Sequence, residues 1–438
     1  MININKCFLW LIFSLYFAPV QTEYSLQMLK DCPADLKTVV TALLESQGYQ
    51  VLNDKIEIYN KPNLIIVIVD TSVGKKFLKL HENGGGKREY SGAQLISKYL
   101  PTIIPECLIC KDNLELLVQP YVHDAQQHML FNAVECYERA ALPLVRSIID
   151  EIAVISQETL EYAVTPSLND NLYINRLKTK SNDGISGRIE VFYVGRKLNL
   201  AGVEVEWEDL ISKRFIIDGV EYKETLHELL ERAREALNPA NIRLTAICHG
   251  DFHEMNVYSK SAAANKDFQF LDCEYSGRND VIGDAIVTII YQSVLTSYLG
   301  PKYHSAQFVG MPGLPCTQNK FVNMVRDISV LNTEKSITLD GIGNFGTSDV
   351  RKEMVRYFIN SYLDPIMHIA QERFKIHTNE LEEKIKACLL LRLIGVYNVS
   401  VMEPMDQAKI LGLLFKIVAT PIKNTKYIAA LDKLDKEL

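Results

Sequence analysis

One stretch, Ile247 to Asp284, constrains this chain more than any other. A short apolar lead of Leu244, Ala246 and Ile247 runs into His249-Gly250-Asp251, and Asn256 follows five residues after Asp251. A second apolar run, Phe268 to Leu271, delivers Asp272, with Glu274 just beyond it and Asp284 further on. Asp and Asn after an apolar run are most often turn residues. An ordered set, at fixed separations and delivered by two strand-length segments, is a narrower signal than any one of them.

Transfer of a phosphoryl group from a nucleotide needs a carboxylate to orient and deprotonate the attacking hydroxyl, and a divalent cation to neutralise charge on the phosphates. An acid followed by an Asn within one turn, with another acid arriving on a neighbouring strand, meets both needs. In that reading Asp251 is the catalytic base, and Asn256 and Asp272 hold Mg2+, which prefers oxygen ligands. His249 braces the loop by hydrogen bonds. His253 either touches substrate or faces solvent, Glu274 either supports the metal or is a surface acid, and Asp284 braces the catalytic loop.

The order HGDxxxxN, then DxE about twenty residues later, resembles the kinases of the aminoglycoside phosphotransferase and choline kinase group. Asp272-Cys-Glu-Tyr-Ser-Gly-Arg-Asn-Asp-Val-Ile-Gly-Asp284 is similar to the choline kinase end of it, while Gly250 after His249 is closer to the aminoglycoside phosphotransferase pattern. The resemblance implies an α+β, two-lobed protein-kinase-like fold. A small antiparallel-sheet N-lobe with one main helix would span 30–120, and a larger, mostly helical C-lobe 121–438. It implies an ATP- and Mg2+-dependent phosphotransferase that moves the γ-phosphate to a hydroxyl of a small molecule. The acceptor would be an amino alcohol such as choline or ethanolamine, or an aminoglycoside-like compound. His249 and Glu274 then belong to the cofactor side of the site.

Lys76-Phe-Leu-Lys-Leu80 reads as a strand in which Lys79 points away from Leu78 and Leu80. The resemblance gives Lys79 to the nucleotide phosphates, with Lys75 and Lys76 as exposed alternatives. Beyond a flexible Asn83-Gly-Gly-Gly86, a helix is expected over Lys87 to Leu100, with Glu89 near its start. Glu89 either pairs with Lys79 or complements a helix N-terminus. Leu114 to Val118 is the last strand of this lobe, and Gln119-Pro120-Tyr121-Val122 the connector beside the adenine, where Gln119 and Tyr121 are cofactor-binding candidates. No glycine-rich loop joins the first two strands, where Tyr59-Asn-Lys-Pro62 stands instead.

Elsewhere, Pro33 to Gly48, Glu224 to Leu237, Ala285 to Leu299, Val350 to Phe374, Leu381 to Val399 and Ala408 to Val418 have helical spacing, and Met129 to Ile155 is long, apolar and periodic. Arg188 to Tyr193 and Lys213 to Val220 alternate like strands, and Glu204 to Ile211 fits a helix. Trp207 is either core or a cation-binding aromatic. The sequon Asn398-Val-Ser400 has buried surroundings.

At 438 residues, with 47% apolar and 23% charged residues, the chain can build two packed lobes. A net charge of -7 without a basic tract disfavours nucleic acid as a partner. Cys107 and Cys110 have C-x-x-C spacing without a second pair, which points to packed thiols rather than zinc. Residues 1–22 carry Lys6, an apolar run from Cys7 to Ala18 and a polar exit, the outline of a secretory signal. An uncleaved anchor and a mis-assigned start are the alternatives. A cytosolic nucleotide supply argues for the cytoplasm, and a functional leader for secretion or a lumen. That leader is the sole membrane link expected, and the sequence leaves oligomeric state open. A non-catalytic kinase-fold binding or scaffold protein is the other functional reading. A protein kinase has less support, since no D-F-G or A-P-E pair follows Asp272.

Overall fold

The computed structural model describes residues 25–60, 64–122, 128–129, 142–164, 187–238, 240–253, 256–259, 268–299, 327–343 and 349–419. The leader, most of the turn at 60–63, residues 130–141 of the expected helical stretch and the loop at 310–315 lie outside them. The chain divides into two compact units, 1–90 with 105–122 and 91–104 with 123–438.

The first unit is built on five antiparallel strands, β1 (Val51–Asn60), β2 (Leu64–Thr71), β3 (Gly74–Glu82), β4 (Cys107–Lys111) and β5 (Leu114–Pro120), in the order β1-β2-β3-β5-β4. Pleating sends alternate residues to opposite faces. Ile65, Val67, Val69, Leu78, Leu80, Leu116 and Val118 share one core with Leu36, Val39, Val40, Leu43 and Leu44 of the helix Pro33–Glu45. The register pairs Lys79 with Leu117, His81 with Glu115 and Phe77 with Gln119, so these side chains occupy the sheet face opposite that core.

Four expectations for this unit need correction. The helix runs Gly85–Ile96 rather than Lys87 to Leu100, and Gly85 and Gly86, expected in a flexible link, are close-approach positions at its start. A Cβ on Gly85 would stand 2.8 Å from the His81 ring, and one on Gly86 2.9 Å from Glu115 Cβ. Lys76 is buried, not exposed, because its ammonium meets Glu106 Oε1 at 2.5 Å. Cys110 is exposed on the outermost strand, β4, so the packed-thiol reading suits the half-buried Cys107 alone.

The second unit is mainly helical, with four small sheets among the described residues. Strand Arg243–Cys248, buried along its whole length, lies between Glu161–Ala163 and Gly277–Asp280. Strand Val257–Ser259 lies between Phe268–Phe270 and His128–Met129. Helices Leu142–Glu158, Leu226–Ala236, Val281–Ile290, Thr378–Gly395 and Pro404–Val418 contribute apolar faces to one large core. Thr225 and Glu228 form a capping box that fixes the start of Leu226–Ala236.

Arg188–Tyr193 is helical, not a strand. Its buried residues, Ile189 and Tyr193, are four apart and share one helical face. The stretch expected as one helix at Glu204 to Ile211 divides into strand Val203–Glu206 and helix Trp207–Ser212. Trp207 is core, stacked on Tyr193 at 4.5 Å between ring centroids. The helix expected over Ala285 to Leu299 is α-helical only to Ile290 and π-helical from Tyr291. A second π-helical turn, Ile359–Leu363, interrupts the helix expected over Val350 to Phe374. Asn398 is half-buried and caps its own short turn by accepting from Ser400 N at 3.1 Å. No helix among the described residues is long and apolar enough to cross a membrane.

Candidate active site

The buried strand Arg243–Cys248 ends at His249, and the chain reverses at Gly250 with φ +86°. A Cβ there would lie 2.1 Å from the Tyr275 carbonyl oxygen, so only glycine lets the turn close against the Cys273–Tyr275 segment. His249 is buried, and its Nε2 lies 2.7 Å from the Leu271 carbonyl oxygen. Burial pulls its pKa down, although the Leu271 carbonyl works the other way. Ser276 Oγ donates to the His249 carbonyl at 2.9 Å. The loop is therefore pinned from the segment that carries Asp272.

Asp251 is held at both ends. Asn256 Nδ2 donates to its backbone carbonyl at 3.0 Å, and Arg392 Nη2 donates to Oδ1 at 3.0 Å. His253 Nε2 lies 3.5 Å from Oδ2. The His253 ring is buried and stacked on Tyr291 at 4.0 Å between centroids, and Tyr291 is the residue at which the α-helix changes to π. Local π-turns in long helices frequently mark functional positions.

The register Val257 with Phe270 and Ser259 with Phe268, together with Leu271 N donating to Asn256 O at 2.9 Å, places Asn256 and Asp272 at the same end of one hairpin. Asp272 adopts the left-handed conformation, φ 56° and ψ 58°, which costs a non-glycine residue about 1 kcal/mol or more and concentrates at functional positions. Because the amide nitrogen of Asn256 is committed to Asp251, its carbonyl oxygen is the end suited to a cation. The Asn256 amide oxygen and the Asp272 carboxylate are hard oxygen donors of the kind a small divalent cation takes. Among the described residues, no group of three or more His, Cys, Asp or Glu side chains forms a site for a metal. Glu274 is half-buried in the short turn Cys273–Tyr275 just after Asp272.

Asp284 accepts from Phe252 N at 3.4 Å, and Thr288 Oγ1 donates to the Phe252 carbonyl at 2.9 Å, so helix Val281–Ile290 holds the loop that carries Asp251. Burial above all, with the charge of Asp251 adding to it, raises the Asp284 pKa to about 7 against the Phe252 N–H and Arg392. That helix is anchored by Asp280, which accepts from Ile282 N and Gly283 N and faces Lys384 at 3.3 Å and Arg243 at 3.4 Å. Burial alone would raise the Asp280 pKa, but the two cations and the N–H of Gly283 hold it low.

A second polar group lies in the first unit. Lys79 Nζ meets Glu89 Oε1 at 2.7 Å, and Gln119 Nε2 donates to the same oxygen at 3.0 Å. His81 Nε2 is 3.5 Å from Glu89 Oε2. Glu89 is 1% exposed; burial opposes its ionisation, yet Lys79 and His81 hold it below the usual carboxylate range. Gln119 thus lies within β5 with its side chain on Glu89. Tyr121 follows the strand, its N–H donating to the Lys75 carbonyl at 3.2 Å and its ring under the Lys75 ammonium.

Sequence reasoning missed Arg392, Arg188, Asp280 and His81. Arg392 had a signal: it is the one charged residue in Ala387-Cys-Leu-Leu-Leu-Arg-Leu-Ile394, and a charge inside an apolar helix needs a buried partner. Arg188 had none.

No family model matches the chain, and no curated protein matches it. Among solved structures it is similar to a spectinomycin phosphotransferase in complex with ADP and spectinomycin, at 10% identity over 92% of this chain and 98% of that one, with a TM-score of 0.40. It is similar to a microcompartment-associated aminopropanol kinase at 10% identity, 85% and 94% coverage and a TM-score of 0.38. It is also similar to an ethanolamine kinase of Plasmodium vivax at 10% identity, 92% and 88% coverage and a TM-score of 0.36. At these scores the roles of individual residues rest on side-chain geometry alone.

Proposed function

We propose that this chain is a phosphotransferase that moves the γ-phosphate of ATP to a hydroxyl of a small molecule, with Asp251 as the catalytic base. The observation that carries the reading is the fixing of one aspartate by two independent partners, its carboxylate by Arg392 on Oδ1 and its backbone carbonyl by Asn256. Phosphoryl transfer depends mainly on positioning and charge stabilisation. A base that cannot swing away orients the attacking hydroxyl and takes its proton as the bond to phosphorus forms.

Asn256 and Asp272 would hold Mg2+, which when bound supplies neutralisation of the phosphate charge. Lys79, paired with Glu89, would contact the phosphates, and Glu89, itself held by Gln119, would fix that lysine. Tyr121 would lie beside the adenine, His249 would brace the loop, and Glu274 would support the metal side. An amino alcohol or an aminoglycoside-like compound is the acceptor class suggested by the sequence resemblance.

Asp251→Asn tests the reading. ADP release in the presence of acceptor should disappear, while calorimetric affinity for Mg-ATP stays within about threefold of the unmodified protein. Unchanged turnover removes the base assignment, and absence of Mg-ATP binding to the unmodified chain favours a binding or scaffold role.

A further inference from the structure

Beside Asp251 there is a second guanidinium that the mechanism above does not use. Arg188 opens the helix Arg188–Tyr193, which is clamped on the C-terminal end of Thr378–Gly395: Tyr193 Oη donates to Ile394 O at 2.6 Å and to Tyr397 O at 3.3 Å. Arg188 Nη1 donates to Gly395 O at 3.4 Å and Val396 O at 3.3 Å, one turn beyond Arg392. Both guanidiniums thus gather at the last turn of one helix, and one of them already rests on the Asp251 carboxylate.

Among the described residues, the hydrogen bonds of Arg188 to helix-end carbonyls use Nη1, and its Cζ lies 5.9 Å from the centroid of the Phe192 ring. Those carbonyls carry a partial charge, not a full one, and a partly buried guanidinium with three further N–H groups is suited to a planar or tetrahedral oxyanion. Burial, in the first place, and the charge of Arg392 lower the basicity of Arg188, while Tyr275, Asp251 and Tyr291 act the other way. These four side chains are therefore within electrostatic reach of it. A cationic acceptor entering here would meet two guanidiniums for one carboxylate. One face of Tyr291, an aromatic that could otherwise cage an ammonium, is covered by His253.

Resting on the phosphotransferase reading above, but in place of the cationic acceptor class that the sequence resemblance suggests, we propose that the acceptor is an acidic hydroxy compound. Its carboxylate or phosphate is bound by Arg188, and the neighbouring hydroxyl is presented to Asp251. In the transfer, the hydroxyl oxygen forms the new bond to the γ-phosphorus, the bond to the β-bridging oxygen breaks, ADP leaves, and the hydroxyl proton passes to Asp251. The acidic group of the acceptor is unchanged.

The test measures ADP release from Mg-ATP with four acceptors: glycerate, glycerol 3-phosphate, neutral glycerol and cationic choline. An acidic member should exceed glycerol and choline in kcat/KM by about tenfold or more, and whichever acidic compound leads identifies carboxylate or phosphate as the recognised group. Arg188→Gln should then raise the KM for that acceptor by about 30-fold with kcat within about threefold, and Arg188→Lys should recover part of the loss. Preference for choline, an unchanged KM in Arg188→Gln, or no ADP above the acceptor-free rate from any of the four overturns the acidic acceptor. Failure of the unmodified protein to bind Mg-ATP in calorimetry instead overturns the phosphotransferase reading beneath it.

Discussion

The guanidinium of Arg392, itself 1% exposed, meets the carboxylate of Asp251 at 3.0 Å across 141 residues of sequence. A buried arginine is tolerated only with such a partner, and the pair fixes the Asp251 loop and helix Thr378–Gly395 to each other. Arg392→Met removes a charge-assisted hydrogen bond worth about 1.5–3 kcal/mol. The expected result is a kcat reduced by about tenfold or more with Mg-ATP affinity unchanged, which marks Arg392 as a positioning residue. Arg392→Lys should restore part of kcat, because the charge returns without the planar fork. Steady-state kinetics with calorimetry checks this, and a defect confined to acceptor KM would contradict it.

Lys79 and Glu89 face each other in a place where neither has water to fall back on. Lys79→Met leaves a buried carboxylate with Gln119 and His81, and should destabilise the protein by about 3–5 kcal/mol. Converting both residues, Lys79→Met with Glu89→Gln, should recover much of that stability without recovering turnover. Urea unfolding of the single and double variants, followed by ADP release, separates the two effects. A double variant no more stable than Lys79→Met would show that the ion pair is not what the fold misses.

Asp284 makes a pH prediction with a definite sign. Its pKa rises from an ordinary 3.8 to about 7 in the folded protein, chiefly through burial. The folded state therefore keeps a proton that the unfolded chain gives up, and stability falls as pH climbs from the unfolded value to the folded one, then levels off. Asp284→Asn removes this titration. Relative to the unmodified protein it should gain stability between about pH 4 and pH 7, by up to about 4 kcal/mol. Denaturant midpoints at pH 4.5, about 6 and about 8 measure the difference. A gap that shrinks with rising pH would reverse the assignment.

The parts of the fold that were legible in the sequence are those where local pattern and tertiary demand agree. Leu78, Lys79 and Leu80 alternate because the strand is pleated, and the amphipathic helix Pro33–Glu45 covers the face that this alternation leaves apolar. Arg188 to Tyr193 was misread because a short alternation of Ile, Val and Tyr also satisfies a helix when Ile189 and Tyr193 are the buried pair. The π-helical turns at Tyr291 and Ile359 have no composition of their own and follow from packing. At the candidate site, His249, Asp251 and Asn256 fall within one short stretch of chain, and Asp272 follows two residues beyond the strand paired with Val257–Ser259. Arg392 and Arg188 arrive from distant helices, and no periodicity encodes which loop a buried guanidinium will meet.

Gly250 sets the most restrictive condition on the loop. Its φ of +86° lies where side chains are strained, and the Tyr275 carbonyl oxygen would sit 2.1 Å from an added Cβ. That obstacle is backbone, tied down on both sides by Ser276 Oγ on the His249 carbonyl and by the pairing of Cys248 with Gly277. It cannot retreat as a flexible side chain would. In Gly250→Ala the turn must open instead, which pulls His249 from the Leu271 carbonyl and moves Asp251 away from Arg392. Shifts of about 1 Å at a reacting group cost on the order of 100-fold in rate. Turnover should fall by at least that factor, together with a lowered unfolding midpoint, while Mg-ATP affinity changes far less than kcat. Full activity in Gly250→Ala would mean that the turn is not held as tightly as the Tyr275 contact requires.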